Sequence, residues 1–177
     1  MRRLVFLLEE PSARDLLEGF LPSVLPAELL VRYVVFDGKQ DLEKQMVRRI
    51  RSWLAPESVF VVLRDQDAAD CTAVKQNLSN LVKETGRKDV LIRVVCRELE
   101  SWVIGDWDAV AQTFDKPQLR SQSRKALYRN PDRLPNPIRE LRKFIPDYQK
   151  RDGARRMGPL LNPERNQSPS FRISARA

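Results

Sequence analysis

Four short runs of apolar residues recur along the first half of the chain, and each is followed by a stretch with a different periodicity. The runs cover residues 4–8, 29–36, 59–63 and 90–95. Unbroken apolar runs of this length are typical of strands that are buried on both faces. After each run, apolar residues return every three or four positions, which predicts a helix. The helices are predicted over residues 12–21, 41–54, 69–85 and 98–114.

The alternation of strands and helices predicts the α/β fold class. Helices of this length between strands imply right-handed crossovers and therefore a parallel sheet. Gly86 stands where the third helix needs a C-cap, and Asp37-Gly38-Lys39 after the second strand predicts a turn. The expected body of the protein is a four-stranded parallel sheet flanked by helices.

The character of the chain changes after Phe114. Eight prolines interrupt residues 116–177, and one helix is predicted there, over residues 137–144. Few apolar residues remain for a second core. We therefore predict an α/β domain over residues 1–115 and a basic, proline-rich extension over residues 116–177. The extension is expected to be mostly helical or irregular and to pack on the α/β body.

Charge is divided unevenly between these two parts. Residues 1–115 carry 16 Lys and Arg against 19 Asp and Glu, whereas residues 116–177 carry 16 against 5. Positive charge concentrated in this way indicates a polyanionic partner, above all nucleic acid. A solvated basic surface or an acidic protein partner is the alternative explanation.

Composition excludes several kinds of chemistry. The chain has no histidine and only two cysteines, Cys71 and Cys96. A Ser-His-Asp or Cys-His centre, a histidine general base and the usual four-ligand zinc site are therefore excluded. The sequence also contains no glycine-rich phosphate loop. The remaining candidates are carboxylates, Lys and Arg, hydroxyls, and a hard cation such as magnesium or manganese.

The expected location is the cytoplasm, without membrane association. No apolar run approaches the ~20 residues that span a bilayer, and the apolar stretch near the N-terminus is shorter than the core of a signal peptide. Two cysteines also suit a reducing compartment.

Acidic residues follow the predicted strands. Glu9 follows the first strand, and Asp65 and Asp67 follow the third. Ligands of open parallel sheets bind beyond the carboxyl ends of the strands. If strands one and three are neighbours, these three carboxylates converge and need a cation or a proton between them. This requirement predicts the strand order 2-1-3-4. Asp67 and Asp70 are equally typical of turns and helix caps.

A second acidic pair, Glu98 and Glu100, follows the fourth strand. The pair is a candidate for further metal ligands. The alternative is a role in the first turn of a helix, where the helix dipole stabilises negative charge. Trp102, Val103 and Trp107, which come next, are predicted to lie in the core and not to form a base-stacking platform.

An apolar strand ending in Glu, then a helix, with Asp-x-Asp closing a later strand, resembles the TOPRIM domain of topoisomerases, primases and related nucleases. Within that superfamily, nearly the whole chain is similar to the bacterial TOPRIM-like family called domain of unknown function 4276. The similarity is carried by the order of short motifs: LLEEPSARDLLEGFLP, VVLRDQDAADC, CRELESWVIGD, RNPDRLPNP, DYQKRDGARRMGPLLNPE and QSPSFR. The resemblance implies a Rossmann-like TOPRIM fold.

The resemblance also implies roles for the acidic residues. Glu9 matches the TOPRIM glutamate, a general acid/base or metal ligand, and Asp65 and Asp67 match the residues that hold Mg²⁺ or Mn²⁺. Glu98 and Glu100 match an acidic pair of the family and are further candidate metal ligands. In the family the first glutamate is usually followed by glycine, whereas here the next residue is a second glutamate.

The implied function is a magnesium-dependent nuclease of a bacterial phage-defence system, with an AAA-type ATPase as partner. One alternative is a non-catalytic TOPRIM-like subunit that binds nucleic acid or the ATPase. A phosphatase or nucleotidyl transferase for a small substrate is a third hypothesis, which leaves the basic extension without a role. The candidate nucleic-acid contacts are Arg124, Lys125, Arg129, Arg142, Lys143, Lys150, Arg151, Arg155 and Arg156.

Overall fold

A four-stranded parallel sheet forms the centre of the computed structural model, which describes residues 2–176. The strands are β1 (Arg3–Leu8), β2 (Leu30–Val35), β3 (Ser58–Asp65) and β4 (Val90–Val95). They lie in the order β2-β1-β3-β4, and each neighbouring pair is parallel. The predicted fold class, sheet type and strand order are thus confirmed. Met1 and Ala177, the outer ends of the two predicted domains, lie outside the described residues.

Helices cover both faces of the sheet because the strand residues are apolar on both sides. Helices α2 (Lys39–Arg51) and α3 (Cys71–Thr85) cover one face. Their partners on the strands include Val5, Leu7, Phe60 and Val62. Helix α1 (Pro11–Phe20) and the C-terminal part of the chain cover the other face. Their partners include Phe6, Leu8, Val61 and Leu63.

Local capping explains where two of the helices begin and end. The Asp70 carboxylate accepts a hydrogen bond from the Ala73 N–H at 2.8 Å and so begins α3. Gly86 ends the same helix with φ 73°, a conformation that favours glycine.

The helix predicted over residues 98–114 is in fact two helices, α4 (Glu100–Ile104) and α5 (Trp107–Thr113). The prediction of one continuous helix was wrong because Asp106 begins a second one. Its carboxylate accepts a hydrogen bond from the Ala109 N–H at 3.1 Å. An apolar pattern that continues through the break does not reveal such a cap.

Within residues 116–176, the C-terminal extension contains three α-helices: α6 (Pro137–Arg142), α7 (Lys150–Met157) and α8 (Pro169–Ala175). Helix α6 ends two residues before its predicted end. Helices α7 and α8 were not predicted. The buried face of α7 consists of Gly153, Ala154 and Met157, which leaves little apolar periodicity to detect.

The extension packs on the sheet through Trp102, which is 1% exposed. Its indole N–H donates to Ser170 Oγ at 2.9 Å, and its ring meets that of Phe171 edge-on at 5.3 Å. Val103 and Trp107 are also buried, as predicted for core residues. The two parts of the chain therefore share one apolar core. Within residues 2–176, no helix is both long and apolar enough to cross a membrane.

Candidate active site

The candidate site lies at the carboxyl edge of the sheet, where the neighbouring strands β1 and β3 end. Leu8, the last residue of β1, pairs with Leu63, so Glu9 follows β1 close to Asp65, the last residue of β3. Glu9 Oε2 accepts a hydrogen bond from the Asp65 N–H at 3.1 Å. The predicted strand neighbourhood thus brings these two acidic residues together.

Asp65 is the buried acid of the site. Its Oδ2 accepts a hydrogen bond from the Leu99 N–H at 3.3 Å, so the loop after β4 holds the carboxylate in place. Burial raises the pKa of Asp65 well above its usual range, and the nearby charges of Glu10, Glu9 and Glu100 raise it further. In the metal-free protein, the ionised form of Asp65 is therefore disfavoured.

Glu9 is also perturbed by its surroundings. Burial raises the pKa of Glu9, and the negative charge of Asp67 adds to the effect. The hydrogen bond from the Asp65 N–H acts in the opposite direction, since it stabilises the carboxylate. In the metal-free protein, the ionised form of Glu9 is thus less favourable than that of an exposed glutamate.

Asp67 is held by a partner that sequence analysis missed. Its Oδ2 lies 2.7 Å from Lys39 Nζ, which belongs to the turn predicted at residues 37–39. Asp67 has φ 56°, and its N–H donates to the Arg97 carbonyl at 2.7 Å. Asp67 therefore faces an ammonium group and does not join Glu9 and Asp65 in a preformed group of three carboxylates.

Glu98 and Glu100 take different positions. Glu98 Oε1 accepts a hydrogen bond from the Ile138 N–H at 2.7 Å, which ties the loop after β4 to the start of α6. Glu100 begins α4 and is 1% exposed. Burial raises the pKa of Glu100 to about 7, although the positive charge of Lys150 opposes the shift. The Tyr148 hydroxyl lies 3.5 Å from Glu100 Oε1.

Lys150 lies inside an acidic cluster, which we define as Glu10, Glu98 and Glu100. Its Nζ is 3.5 Å from Glu10 Oε1, 3.6 Å from Glu100 Oε2 and 3.9 Å from Glu98 Oε2. Sequence analysis assigned Lys150 to the nucleic-acid surface because it stands in a basic run. Its carboxylate partners are 50 to 140 residues away along the chain, so no local pattern identifies them.

The other predicted nucleic-acid residues divide into two groups. Within residues 2–176, Arg124, Arg129 and Arg155 are exposed and make no ion pair or side-chain hydrogen bond. The remaining members have partners in the chain. Lys125 lies over the Phe144 ring, Arg142 donates to the Tyr148 carbonyl, Lys143 pairs with Glu140, Arg151 pairs with Asp15, and Arg156 pairs with Asp152.

An open groove of about 240 Å³ lies beside Asp67 and Glu98, and neither Glu9 nor Asp65 is among its lining residues. Asp67 and Glu98 line one part of it, together with Arg97. Asn136 and Pro137, at the start of α6, line the other part. The groove is open enough for an extended ligand to reach the carboxyl edge of the sheet. A site for a small substrate would instead be a closed pocket.

The acidic side chains at this edge of the sheet differ in whether they are available to a divalent cation. Within residues 2–176, no three acidic or cysteine side chains form a group that could hold a metal ion as they stand. Lys39 already neutralises Asp67, and Lys150 lies among the acidic cluster. Glu9 and Asp65 are left, and Mg²⁺ typically takes one or two carboxylates and completes its shell with water and substrate phosphate. The residues therefore fit one such cation.

Comparison with known proteins places the chain in a family. No curated protein and no solved structure matches it. A family profile described as "Domain of unknown function (DUF4276)" matches residues 8–173, which include Glu9, Asp65, helices α6 and α7 and the first part of α8. The chain is therefore a member of the DUF4276 family.

Proposed function

We propose that this protein is a Mg²⁺- or Mn²⁺-dependent nuclease of the TOPRIM type, which hydrolyses phosphodiester bonds in nucleic acid. The observation that carries the proposal is the buried carboxylate of Asp65, which lies beside Glu9, Glu10 and Glu100 at the carboxyl edge of the sheet. Carboxylates that repel one another in a buried place favour a cation or a proton between them. The groove lined by Asp67 and Glu98 is open.

Each residue of the site has a role in this proposal. Glu9 and Asp65 would hold the cation, which when bound polarises a phosphoryl oxygen and activates water. Burial and the charge of Asp67 raise the pKa of Glu9 in the metal-free protein, and a bound cation would stabilise its carboxylate. Leu99 fixes Asp65 through its N–H, and Lys39 keeps the charge of Asp67 neutralised at the mouth of the site.

The basic extension supports nucleic acid as the substrate. It carries 16 Lys and Arg against 5 Asp and Glu, and its helices α6 and α7 begin next to the acidic cluster. Arg124, Arg129 and Arg155 are exposed, so their charges are accessible to phosphates.

The biological setting is part of the proposal and rests on the resemblance to TOPRIM-like families. On that basis we place the protein in the cytoplasm, in a bacterial phage-defence system, with an AAA-type ATPase as partner. Co-purification of the chain with the product of a neighbouring ATPase gene would support this setting.

The second candidate function is a non-catalytic subunit that binds nucleic acid or the ATPase. One observation favours it: Lys39 and Lys150 already supply positive charge to the acids, so a structural ion-pair network explains part of the cluster. The two candidates differ in whether nucleic acid is cleaved after it is bound.

A cleavage assay with single-stranded and duplex DNA and RNA tests the proposal. We expect cleavage with Mg²⁺ or Mn²⁺, none with EDTA, and a loss of about 100-fold or more in Glu9→Gln, because a carboxylate that would hold the cation is removed. Glu28→Gln, which changes an exposed glutamate, is the matched control and should cleave normally. Cleavage that persists in Glu9→Gln contradicts the assignment. Binding without cleavage in any divalent metal, with the ATPase present, favours the second candidate.

The salt dependence of binding tests the basic surface. We expect log affinity to fall linearly with log salt, by about 0.7 to 0.9 per phosphate neutralised. Replacing Arg124, Arg129 and Arg155 by Ala should flatten this slope by about 2. The matched control replaces Lys143, Arg151 and Arg156, which are already paired, and should flatten it less. Equal slopes for all three proteins would assign the extension to a protein partner.

A further inference from the structure

The ammonium of Lys150 lies at the centre of the acidic cluster. Its three Nζ–oxygen distances, 3.5 to 3.9 Å, are longer than the 2.7–3.2 Å of an ordinary N–H···O hydrogen bond. The ammonium thus lies at similar distances from Glu10, Glu98 and Glu100 and is not bound tightly to any one of them. This is the arrangement of a cation surrounded by carboxylates.

The carboxylates around Lys150 are held by the protein. Ser12 Oγ donates to Glu10 Oε1 at 2.6 Å, and the Ile138 N–H donates to the far oxygen of Glu98. Glu100 supplies an independent observation: its Oε2 is buried and makes no hydrogen bond within residues 2–176. That oxygen faces Lys150 Nζ at 3.6 Å. A buried carboxylate oxygen without a hydrogen-bond donor favours a cation or a proton nearby, and here the Lys150 ammonium supplies the cation.

The backbone that carries Lys150 is also fixed. Arg151 forms a two-pronged ion pair with the buried Asp15 of α1, at 2.7 and 3.3 Å. A Cβ added to Gly153 would lie 2.2 Å from Tyr148 Cε2, so α7 packs directly on this ring. Lys150 begins α7 and is therefore delivered to the cluster by a rigid helix.

We propose that the ammonium of Lys150 is a tethered cation that occupies the place of a second divalent cation between Glu10, Glu98 and Glu100. The site then takes one divalent cation, at Glu9 and Asp65. The proposal explains the second glutamate at the front of the chain, since Glu10 supplies a carboxylate to Lys150. It rests on the proposed function, which assigns the first cation.

Thermal unfolding of Lys150→Met with and without Mn²⁺ tests this inference. Without divalent cations, we expect a lower melting temperature than in the wild type, because the cluster loses its cation. Mn²⁺ should restore it, with half of the effect at a concentration about 10-fold below that needed by the wild type. Equilibrium dialysis should find two Mn²⁺ per Lys150→Met chain and one per wild-type chain.

Two variants serve as controls. Lys150→Arg keeps the positive charge, so it should gain no Mn²⁺ response beyond that of the wild type. Lys143→Met removes a lysine that pairs with Glu140 outside the site, and it should behave as the wild type does towards Mn²⁺. A purely structural role of Lys150 would lower the melting temperature without creating a Mn²⁺ response.

Equal Mn²⁺ responses in the wild type and Lys150→Met overturn the inference, and so does a Lys150→Met chain that fails to fold even with Mn²⁺. Folding of that variant only when Mn²⁺ is present supports it. The cleavage assay distinguishes the two proposals. If the wild type shows Glu9-dependent cleavage but Mn²⁺ does not restore the melting temperature of Lys150→Met, only the role of Lys150 is refuted. If Mn²⁺ restores the melting temperature of Lys150→Met but the wild type cleaves no nucleic acid, only the proposed nuclease function is refuted.

Discussion

Asp65→Asn is expected to abolish metal-dependent cleavage, by ~1,000-fold or more, while leaving the metal-free protein more stable than the wild type. The loss follows because a metal ion contributes several kcal/mol to transition-state stabilisation. The gain in stability follows because the Asp65 carboxylate is buried beside Glu9, Glu10 and Glu100, so its ionised form is costly. Asparagine has nearly the same shape and carries no charge.

The effect on stability should depend on pH in a defined direction. Because the folded-state pKa of Asp65 is raised, its contribution to stability is complete below its unfolded-state pKa, about 4, and is lost as pH rises. Glu100, with a pKa of about 7, contributes in the same direction between about pH 4 and 7. The melting temperature of the wild type should therefore fall over this range, and that of Asp65→Asn should fall less.

Melting curves at several pH values, with EDTA or with Mg²⁺, measure these effects together. Asp147→Asn changes an exposed aspartate of the extension and is the matched control. Mg²⁺ should raise the melting temperature of the wild type and of the control, but not that of Asp65→Asn. A metal-free Asp65→Asn that is less stable at pH 7 than the wild type would show that the carboxylate is stabilised by partners, and would contradict our account of the site.

Trp102→Ala is expected to destabilise the whole chain by about 3–5 kcal/mol, as is usual for a buried aromatic residue. Trp102 is 1% exposed, and Ser170 and Phe171 of the extension contact its indole. Its carbonyl also accepts a hydrogen bond from Asn166 Nδ2 at 2.8 Å. Loss of the side chain therefore leaves a cavity between the sheet and the extension.

Denaturant unfolding followed by two probes measures this effect. Trp102→Phe keeps most of the apolar contact and loses the hydrogen bond to Ser170, so it should cost about 1–2 kcal/mol. Tryptophan fluorescence and circular dichroism should report one shared transition in the wild type. Two separate transitions, with the extension unfolding first, would show that the extension is an independent unit and that Trp102 does not join it to the sheet.

Much of the fold was determined by local features of the sequence. The apolar runs predicted all four strands, and the requirement that Glu9 meet the residues after the third strand predicted the strand order. These predictions succeeded because short, unbroken apolar runs are typical of strands that are covered on both faces of a parallel sheet. The position of Glu9 and Asp65 at one edge then followed from the parallel arrangement of β1 and β3.

The extension shows where local features fail. Helix α7 has the sequence KRDGARRM, and its buried residues are mainly small. A pattern of charged and small residues predicts a solvated surface. Lys150 and Arg151 are therefore predicted from the sequence to be exposed nucleic-acid contacts. The break at Asp106 was hidden for a similar reason, because the apolar residues continue on both sides of the cap.

The sequence by itself therefore determined the sheet, its order and the acidic character of its carboxyl edge. Only the tertiary structure decided which charges meet there: Asp67 pairs with Lys39, and Lys150 enters the acidic cluster from α7. The physical reason for this difference is that strand burial and strand pairing depend on residues close together in the sequence and on the strand register. An ion pair between residues far apart in the chain depends on how complete elements pack against one another.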